Sequence, residues 1–153
     1  MGHDKKRKAL RRQKKRETNK AINVDNVSRA TDVTPKFDLE FLLSEDKYGL
    51  PIDDIPFLAT LFSKLKDYES MTIAEAKSDG GHLVNYPPDV KSKLCDYAQK
   101  RLELVDEYAT FEDDGIWRFR CDGKLRVYAF RREIDLFKIV WIDRKHEIYP
   151  LTR

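Results

Sequence analysis

The sequence predicts an α+β domain: a small, mostly antiparallel sheet of about four strands, with two or three helices packed on one face. Two patterns support this fold class. Apolar and polar residues alternate with a period of two at positions 117–121 and 125–129, which is typical of strands. Apolar residues recur at helical spacing at positions 58–65 and 94–105. The length of 153 residues suits one hydrophobic core with an appendage.

The appendage is the N-terminal segment, which is strongly basic. Residues 1–20 contain ten lysines and arginines against two acidic residues, a net charge of +8, so the chain total of +3 leaves −5 for residues 21–153. This tail has too few apolar residues to pack, and we predict that it is disordered in isolation. It can bind the phosphates of RNA or DNA, or it can simply keep the protein in solution. The polar residues before Pro35 are typical of a linker. We therefore assign residues 1–35 to the tail and linker, and residues 36–153 to a single domain.

The apolar runs and the two cysteines indicate the cellular environment of the protein. No apolar run approaches the length of a membrane span or of a signal-peptide core. Cys95 and Cys121 lack metal-binding spacing, which favours buried thiols in a reducing compartment. We therefore expect a cytoplasmic protein with no metal ion, no other cofactor and no membrane partner.

Two helices are predicted between residues 53 and 80. Asp53 or Asp54 caps the first, and Pro56 lies in its first turn. The apolar stripe of this helix is formed by Leu58, Leu61, Phe62 and Leu65. The second helix opens with the capping-box spacing of Thr72 and Glu75, and the glycines at positions 80 and 81 stop it.

A third helix is predicted to begin at the two prolines at positions 87 and 88. Its apolar stripe is formed by Leu94, Ala98, Leu102 and Val105. Near the start of the domain, a short apolar patch at residues 37–43 is expected to dock as one or two helical turns.

Two strands, at residues 117–121 and 125–129, form a predicted hairpin around Asp122-Gly123. A two-residue loop at those positions would pair Phe119 with Arg126 and mix charge into the apolar face. A three-residue loop, or a bulge beside Gly123, pairs Phe119 with Val127 instead. The other pairs of this second register are Cys121 with Leu125 and Trp117 with Ala129. Because a slip of one residue turns every side chain to the opposite face, the apolar pattern selects the second register.

The second register gathers polar side chains on the other face of the hairpin. We call this surface the arginine face; it comprises Arg118, Arg120, Arg126 and Tyr128. Three guanidinium groups repel one another there unless an anion or counter-charges from elsewhere in the fold compensate them. The sequence therefore indicates either an anion site or a solvated outer surface.

The rest of the chain completes the predicted sheet. A turn at residues 131–135 leads into a nearly continuous apolar run at residues 136–142, as expected of a central strand buried on both sides. Residues 143–145 interrupt that strand. Residues 146–149 are then predicted to form a short last strand, which Pro150 ends.

The C-terminal pattern resembles the RelE/ParE/HigB toxin superfamily. The resemblance covers residues 91–149 and rests on an aromatic-basic strand, a second strand with Arg126, an apolar strand and a closing basic-His-Glu-Ile-Tyr segment. More closely, MTIAE at residues 71–75 and WIDRKHEIYP at residues 141–150 are similar to a widespread family of small bacterial proteins that end in a W-x-D-x-x-H-E-x-Y-P motif.

The resemblance to RelE implies a metal-independent endoribonuclease. In such enzymes the 2′-hydroxyl of RNA attacks the adjacent phosphate and leaves a cyclic phosphate and a free 5′-hydroxyl, which requires a base, cations and an acid. At the matching positions, the catalytic candidates are Arg126, His146, Tyr149 and Arg144. The candidates for RNA or phosphate binding are Arg118, Arg120, Lys124 and Lys145.

Each catalytic candidate has an implied role. The guanidinium of Arg126 would stabilise the crowded phosphate, and His146 would carry a proton at neutral pH. Tyr149 would stack on a base or move a proton, and Glu147 is either the general base or a partner for Arg144. The implied partners are RNA, the ribosome and a small antitoxin protein. Because the superfamily also contains gyrase poisons without the nuclease residues, the alternative is a non-catalytic nucleic-acid binder, ribosome binder or regulatory protein.

Overall fold

A five-stranded mixed sheet forms the centre of this protein, which we describe from a computed structural model that covers residues 31–42, 47–104 and 114–150. The strands are β1 (Lys36–Asp38), β2 (Leu83–Tyr86), β3 (Ile116–Asp122), β4 (Leu125–Arg131) and β5 (Leu136–Asp143). They lie in the order β1-β5-β4-β3-β2, and every pair is antiparallel except β1 with β5. The predicted α+β class is confirmed, with five strands instead of about four.

The helices begin where the capping residues predict. Helix α1 (Ile55–Glu69) is capped by Asp54, whose carboxylate accepts a hydrogen bond from the Phe57 amide at 3.1 Å. Helix α2 (Ile73–Ser78) has the complete capping box, because the Glu75 amide donates to Thr72 Oγ1 at 3.2 Å and the Thr72 amide donates to Glu75 Oε2 at 2.7 Å. These reciprocal bonds satisfy amides that would otherwise lack a partner at the start of the helix.

The predicted third helix is split into two pieces. A 3₁₀ helix covers Pro88–Lys93, the backbone is extended at Leu94, and helix α3 covers Asp96–Leu104. Position 105 of the predicted stripe lies outside the described residues. Each helix of the described chain is too short or too polar to cross a lipid bilayer.

The helices pack on both faces of the sheet, so the expectation of a single covered face is wrong. On the first face, α1 and α2 contact the odd-numbered side chains of β3 and β4, including Phe119 and Val127. On the second face, the 3₁₀ helix and α3 contact Tyr128, Phe130 and Trp141. These large side chains alternate with the first set along β4 and β5, and burying them requires a second layer of helix. The arginine face lies on this second face, where Arg126 and Tyr128 are buried and Arg120 is exposed.

The register of the β3–β4 hairpin is the predicted one. Phe119 pairs with Val127, Trp117 with Ala129 and Arg120 with Arg126. The ladder shifts between Arg120 and Asp122, which makes Cys121 the bulged residue. Asp122 then pairs with Leu125 across a turn at positions 123 and 124, so the predicted pair of Cys121 with Leu125 is not formed. The bulge lets the turn close while the apolar side chains stay on the first face.

Two predicted elements differ in the structure. Residues 36–38 form β1 and not a helical turn, because Phe37 packs its ring against Phe119 and Phe137, with centroids at 5.0 and 6.4 Å. Residues 146–149 form a loop and not a last strand. The carboxylate of Asp143, at the end of β5, supplies the hydrogen-bond partners that a neighbouring strand would have supplied.

Candidate functional site

The structure brings the predicted arginines together. Arg120 and Arg126 are directly opposite each other on β3 and β4, and Arg118 is opposite Tyr128. Like charges in such positions destabilise a sheet. Arg120 is exposed, whereas Arg126 is only 7% exposed. The arginine cluster therefore extends from the solvent-exposed Arg120 to the buried Arg126.

Neutral groups hold two of these guanidinium groups in place. Arg118 donates to the Tyr86 hydroxyl at 2.9 Å and to the Gly81 carbonyl at 2.8 Å. Arg126 donates to the carbonyls of Gly123 and Leu125 at 2.7 and 3.0 Å. Within the described chain neither arginine, nor Arg120, forms an ion pair with a carboxylate. Burial, followed by the charges of Arg118 and Arg120, lowers the pKa of Arg126.

All buried side-chain nitrogen or oxygen atoms that lack a hydrogen bond within the described residues lie at this one place. They are Arg118 Nε, Arg126 Nε, Tyr128 Oη and His146 Nε2. A buried polar group without a partner costs about 1–3 kcal/mol, so native proteins rarely retain several of them together without a purpose. Two of these four atoms belong to Arg118 and Arg126, and neither arginine forms an ion pair within the described residues, so the cluster is suited to an anion.

His146 lies in the loop after β5, where the charges of the arginine cluster act on its imidazole. Burial and then Arg126 lower the pKa of its imidazole, with further contributions from Arg118 and Arg120, while Asp143 acts in the opposite direction. The imidazole is therefore largely neutral at pH 7 and can accept a proton. Its backbone has φ of 60°, which L-residues other than glycine rarely adopt.

Tyr149 lies at the edge of the site against a residue that the sequence did not indicate. Its ring stacks on Tyr86 with centroids 4.9 Å apart and an interplanar angle of 25°. Tyr86 also accepts the hydrogen bond from Arg118, so it links β2 to the arginine face. Tyr86 was missed because β2 is short and no local pattern indicates that it pairs with β3.

The remaining predicted residues lie elsewhere or at the rim. Arg144 points away from the arginine face: it forms an ion pair with Asp54 at 2.9 Å and lies over the Phe57 ring at 4.0 Å, at the start of α1. Its predicted place in the catalytic group is therefore not supported. Lys124, in the β3–β4 turn, and Lys145, in the last loop, are exposed.

Glu147 does not pair with Arg144. Its carboxylate accepts a hydrogen bond from the Tyr48 hydroxyl at 3.1 Å and pairs with Lys47 at 3.3 Å. These two interactions, with Lys47 first, lower the pKa of Glu147. The partners of Glu147 hold its side chain beside Tyr48, so of the two candidate bases His146 is the one on which the charges of the arginines act.

Comparisons of the chain with protein-family models, curated proteins and solved structures find no match. Within the described residues, no three histidine, cysteine or carboxylate side chains lie close enough together to hold a metal ion.

The position of His146 predicts how stability depends on pH. Because its pKa in the folded protein is below the ordinary value of 6.5, the unfolded chain binds a proton more readily. We expect the free energy of unfolding to decrease as the pH is lowered through about 6.5, and to level off below the folded pKa. Urea denaturation at a series of pH values between 7.5 and 5 (roughly the histidine titration range) measures this slope. The slope should be smaller in His146→Asn; an equal slope in both proteins contradicts the prediction.

Proposed function

We propose that the arginine face binds the phosphodiester backbone of RNA and that the protein cleaves it there without a metal ion, as a RelE-like endoribonuclease. The observation that supports this proposal most strongly is the collection of buried, unpaired polar atoms among uncompensated arginines. A phosphate carries negative charge and several acceptor oxygens, so it matches both properties of the site.

The exposed and buried parts of the face have different tasks in this proposal. Arg120 contacts the backbone of the RNA as it arrives, and Lys124 and Lys145 extend the basic surface at the rim. Arg118 and Arg126 lie deeper and are already oriented by the carbonyl and hydroxyl groups that they contact. Their guanidinium groups stabilise the charge that develops on the phosphate oxygens.

The proton transfers involve the last loop of the chain. His146 accepts the proton of the 2′-hydroxyl as its oxygen forms a bond to phosphorus, and the bond from phosphorus to the 5′-oxygen breaks. Tyr149 gives a proton to the leaving 5′-oxygen. The products are a 2′,3′-cyclic phosphate and a 5′-hydroxyl. Because burial lowers the pKa of His146, the neutral imidazole that a general base requires is favoured at pH 7.

The resemblance to RelE also supplies the proposed partners. Messenger RNA on the ribosome is the proposed substrate, and a small antitoxin protein is the proposed regulator. The basic N-terminal tail adds charge that is suited to an RNA-rich surface.

RNA cleavage in the presence of EDTA tests the proposal. The purified full chain is incubated with single-stranded RNA and, separately, with translating ribosomes, and the ends of the fragments are identified by enzymatic end-labelling. We expect fragments with cyclic-phosphate and 5′-hydroxyl ends in at least one of the two settings, because no step requires a metal ion. Intact RNA in both settings would overturn the proposal.

A pair of lysine and arginine variants tests whether the RNA lies on the arginine face. In Arg120→Ala, affinity for RNA should fall and the salt dependence should decrease by about one ion in slope, since one phosphate contact is lost. Lys66→Ala is the matched control, because Lys66 is exposed on α1, on the opposite side of the sheet. Equal losses in both variants would show that the effect is one of overall charge.

A second candidate function is RNA binding without cleavage. It is favoured by the position of Arg144 beside Asp54, which removes one predicted catalytic residue from the site. The same assay separates the two functions: a binding protein retains RNA in a salt-dependent manner, and the RNA is recovered intact.

A further inference from the structure

Asp143 closes the loop that carries His146. Its Oδ1 accepts hydrogen bonds from the amides of Lys145 and Glu147 at 3.3 and 3.0 Å, and its Oδ2 accepts one from the amide of Ile148 at 2.8 Å. Asp143 is 0% exposed. Charge-assisted bonds to a buried carboxylate are among the stronger hydrogen bonds in proteins, so the loop is firmly held at this end.

This carboxylate accepts hydrogen bonds from the loop and, within the described residues, forms no ion pair with the neighbouring Arg126. Asp143 is directly opposite Arg126 in the β4–β5 ladder, and a buried ion pair between them would be the simple expectation. The described residues contain no such pair. Arg126 donates to the carbonyls of Gly123 in the turn and of Leu125 at the start of β4, and Asp143 accepts from three backbone amides. The negative charge of Asp143 is therefore stabilised by the backbone of the last loop.

The three amides are on both sides of His146. Lys145 precedes it, and Glu147 and Ile148 follow it, so the carboxylate fixes the backbone around the histidine. The φ of 60° at His146 costs free energy in an L-residue and persists only where the surroundings impose it. Further along the loop, the Ile148 carbonyl accepts a hydrogen bond from the Cys95 amide at 2.8 Å. Together these bonds fix the backbone that carries the imidazole, whose Nε2 is buried and has no hydrogen bond within the described residues. The charges of Arg126, Arg118 and Arg120 act on this imidazole.

We propose that Asp143 is the positioning residue of this site: through its bonds to the amides on either side, it holds His146 in the left-handed conformation that presents Nε2 to the arginine face. The consequence for catalysis rests on the proposed ribonuclease function. The geometric consequence, that the His146 ring depends on Asp143, does not rest on it.

Asp143→Asn tests the catalytic consequence. The asparagine oxygen can still accept from two amides, but its NH₂ group would face the Ile148 amide, so one bond of the three is lost. We expect kcat to fall by about 10- to 100-fold with KM nearly unchanged, because a small displacement of a catalytic group impairs the reaction more than binding. An unchanged kcat would overturn the positioning role.

A pH profile adds a readout that a purely structural role would not change. The charged groups that act on His146 are Arg118 and Arg120 on β3, Arg126 on β4 and Asp143 at the end of β5. Of these, Asp143 is the one that raises the pKa of His146. Its replacement by asparagine should therefore move the acidic limb of the kcat/KM profile to lower pH. Asp135→Asn is the control: it removes a carboxylate directly before β5, where Asp135 pairs with Lys36 at 3.2 Å, and its profile should match that of the wild type.

Nuclear magnetic resonance of the full chain decides the geometric consequence without a cleavage assay. In the wild type we expect slow hydrogen exchange at the amides of Lys145, Glu147 and Ile148. In Asp143→Asn the exchange of these amides should be faster and the His146 ring resonances should shift, while in Asp135→Asn both should stay as in the wild type. Fast exchange of all three amides in the wild type would overturn the inference. This result needs only the wild-type protein, so it can be obtained even if the variant does not fold. If RNA is not cleaved but these resonances respond as expected, the ribonuclease proposal fails and the positioning role stands.

Discussion

His146→Asn is expected to reduce RNA cleavage by about 100- to 10,000-fold, the range typical for loss of a general base. The fold should be retained for two reasons. Asparagine tolerates positive φ better than most residues, which matters at a backbone φ of 60°. In addition, His146 Nε2 has no hydrogen bond within the described residues, so its removal leaves no partner there unsatisfied. The change in the free energy of unfolding at pH 7 should therefore be at most about 1 kcal/mol.

Single-turnover cleavage measures this effect separately from binding and product release. Glu147→Gln is the informative comparison, since Glu147 is the neighbouring residue and the other candidate base. Its bonds to Tyr48 and Lys47 direct it away from the arginines, and we expect cleavage by this variant to equal that of the wild type. If Glu147→Gln is inactive and His146→Asn is active, the assignment of the base is reversed.

The sequence predicts the hairpin well because its information is local. Alternation along β3 and β4 requires that Phe119 and Val127 lie on the same face, and only one register satisfies that requirement. The arginine face follows directly from this register. Helix starts at Asp54 and Thr72 are predicted for the same reason, since a cap depends on residues within one turn of the chain.

The elements that the sequence misses depend on distant partners. Strand β1 has three residues, and its pairing with β5 joins segments about a hundred positions apart in the chain. The alternation along β4 places Tyr128 and Phe130 on the face predicted to be exposed to solvent. In the structure both side chains are fully buried, because a second layer of helices covers them. The alternation of apolar and polar residues predicts on which face of the sheet a side chain lies. It does not predict which element packs against that face.

The candidate site divides in the same way. The sequence identifies Arg118, Arg126 and His146 as site residues from their residue types and their positions in the motif. It does not show that their Nε and Nε2 atoms are buried without a hydrogen bond, because that depends on contacts between distant segments. Arg144 shows the opposite case. Only two positions from His146, it turns to the far side of the sheet because Asp54 and Phe57 at the start of α1 bind it there.

Gly115→Ala is expected to destabilise the protein by about 4 kcal/mol or more, a loss large enough to unfold many domains. Gly115 directly precedes β3 and has φ of 70°, a conformation that is unfavourable for alanine. An added Cβ would overlap the Tyr86 carbonyl oxygen, and it would lie 2.9 Å from the Tyr86 carbonyl carbon and 3.0 Å from that of Pro87. These are backbone atoms, so relief of the clash requires movement of β2 away from β3.

Gly123→Ala separates the clash from the cost of positive φ. Gly123 has φ of 31°, and a Cβ there would meet no atom within 4 Å. This variant should lose only about 1–2 kcal/mol, the conformational part of the penalty. Urea denaturation of the two variants in parallel measures the difference, and equal losses would contradict the close approach of Gly115 to β2. Because Tyr86 ends β2 and accepts the hydrogen bond from Arg118, a Gly115→Ala protein that still folds should also bind RNA less tightly than Gly123→Ala.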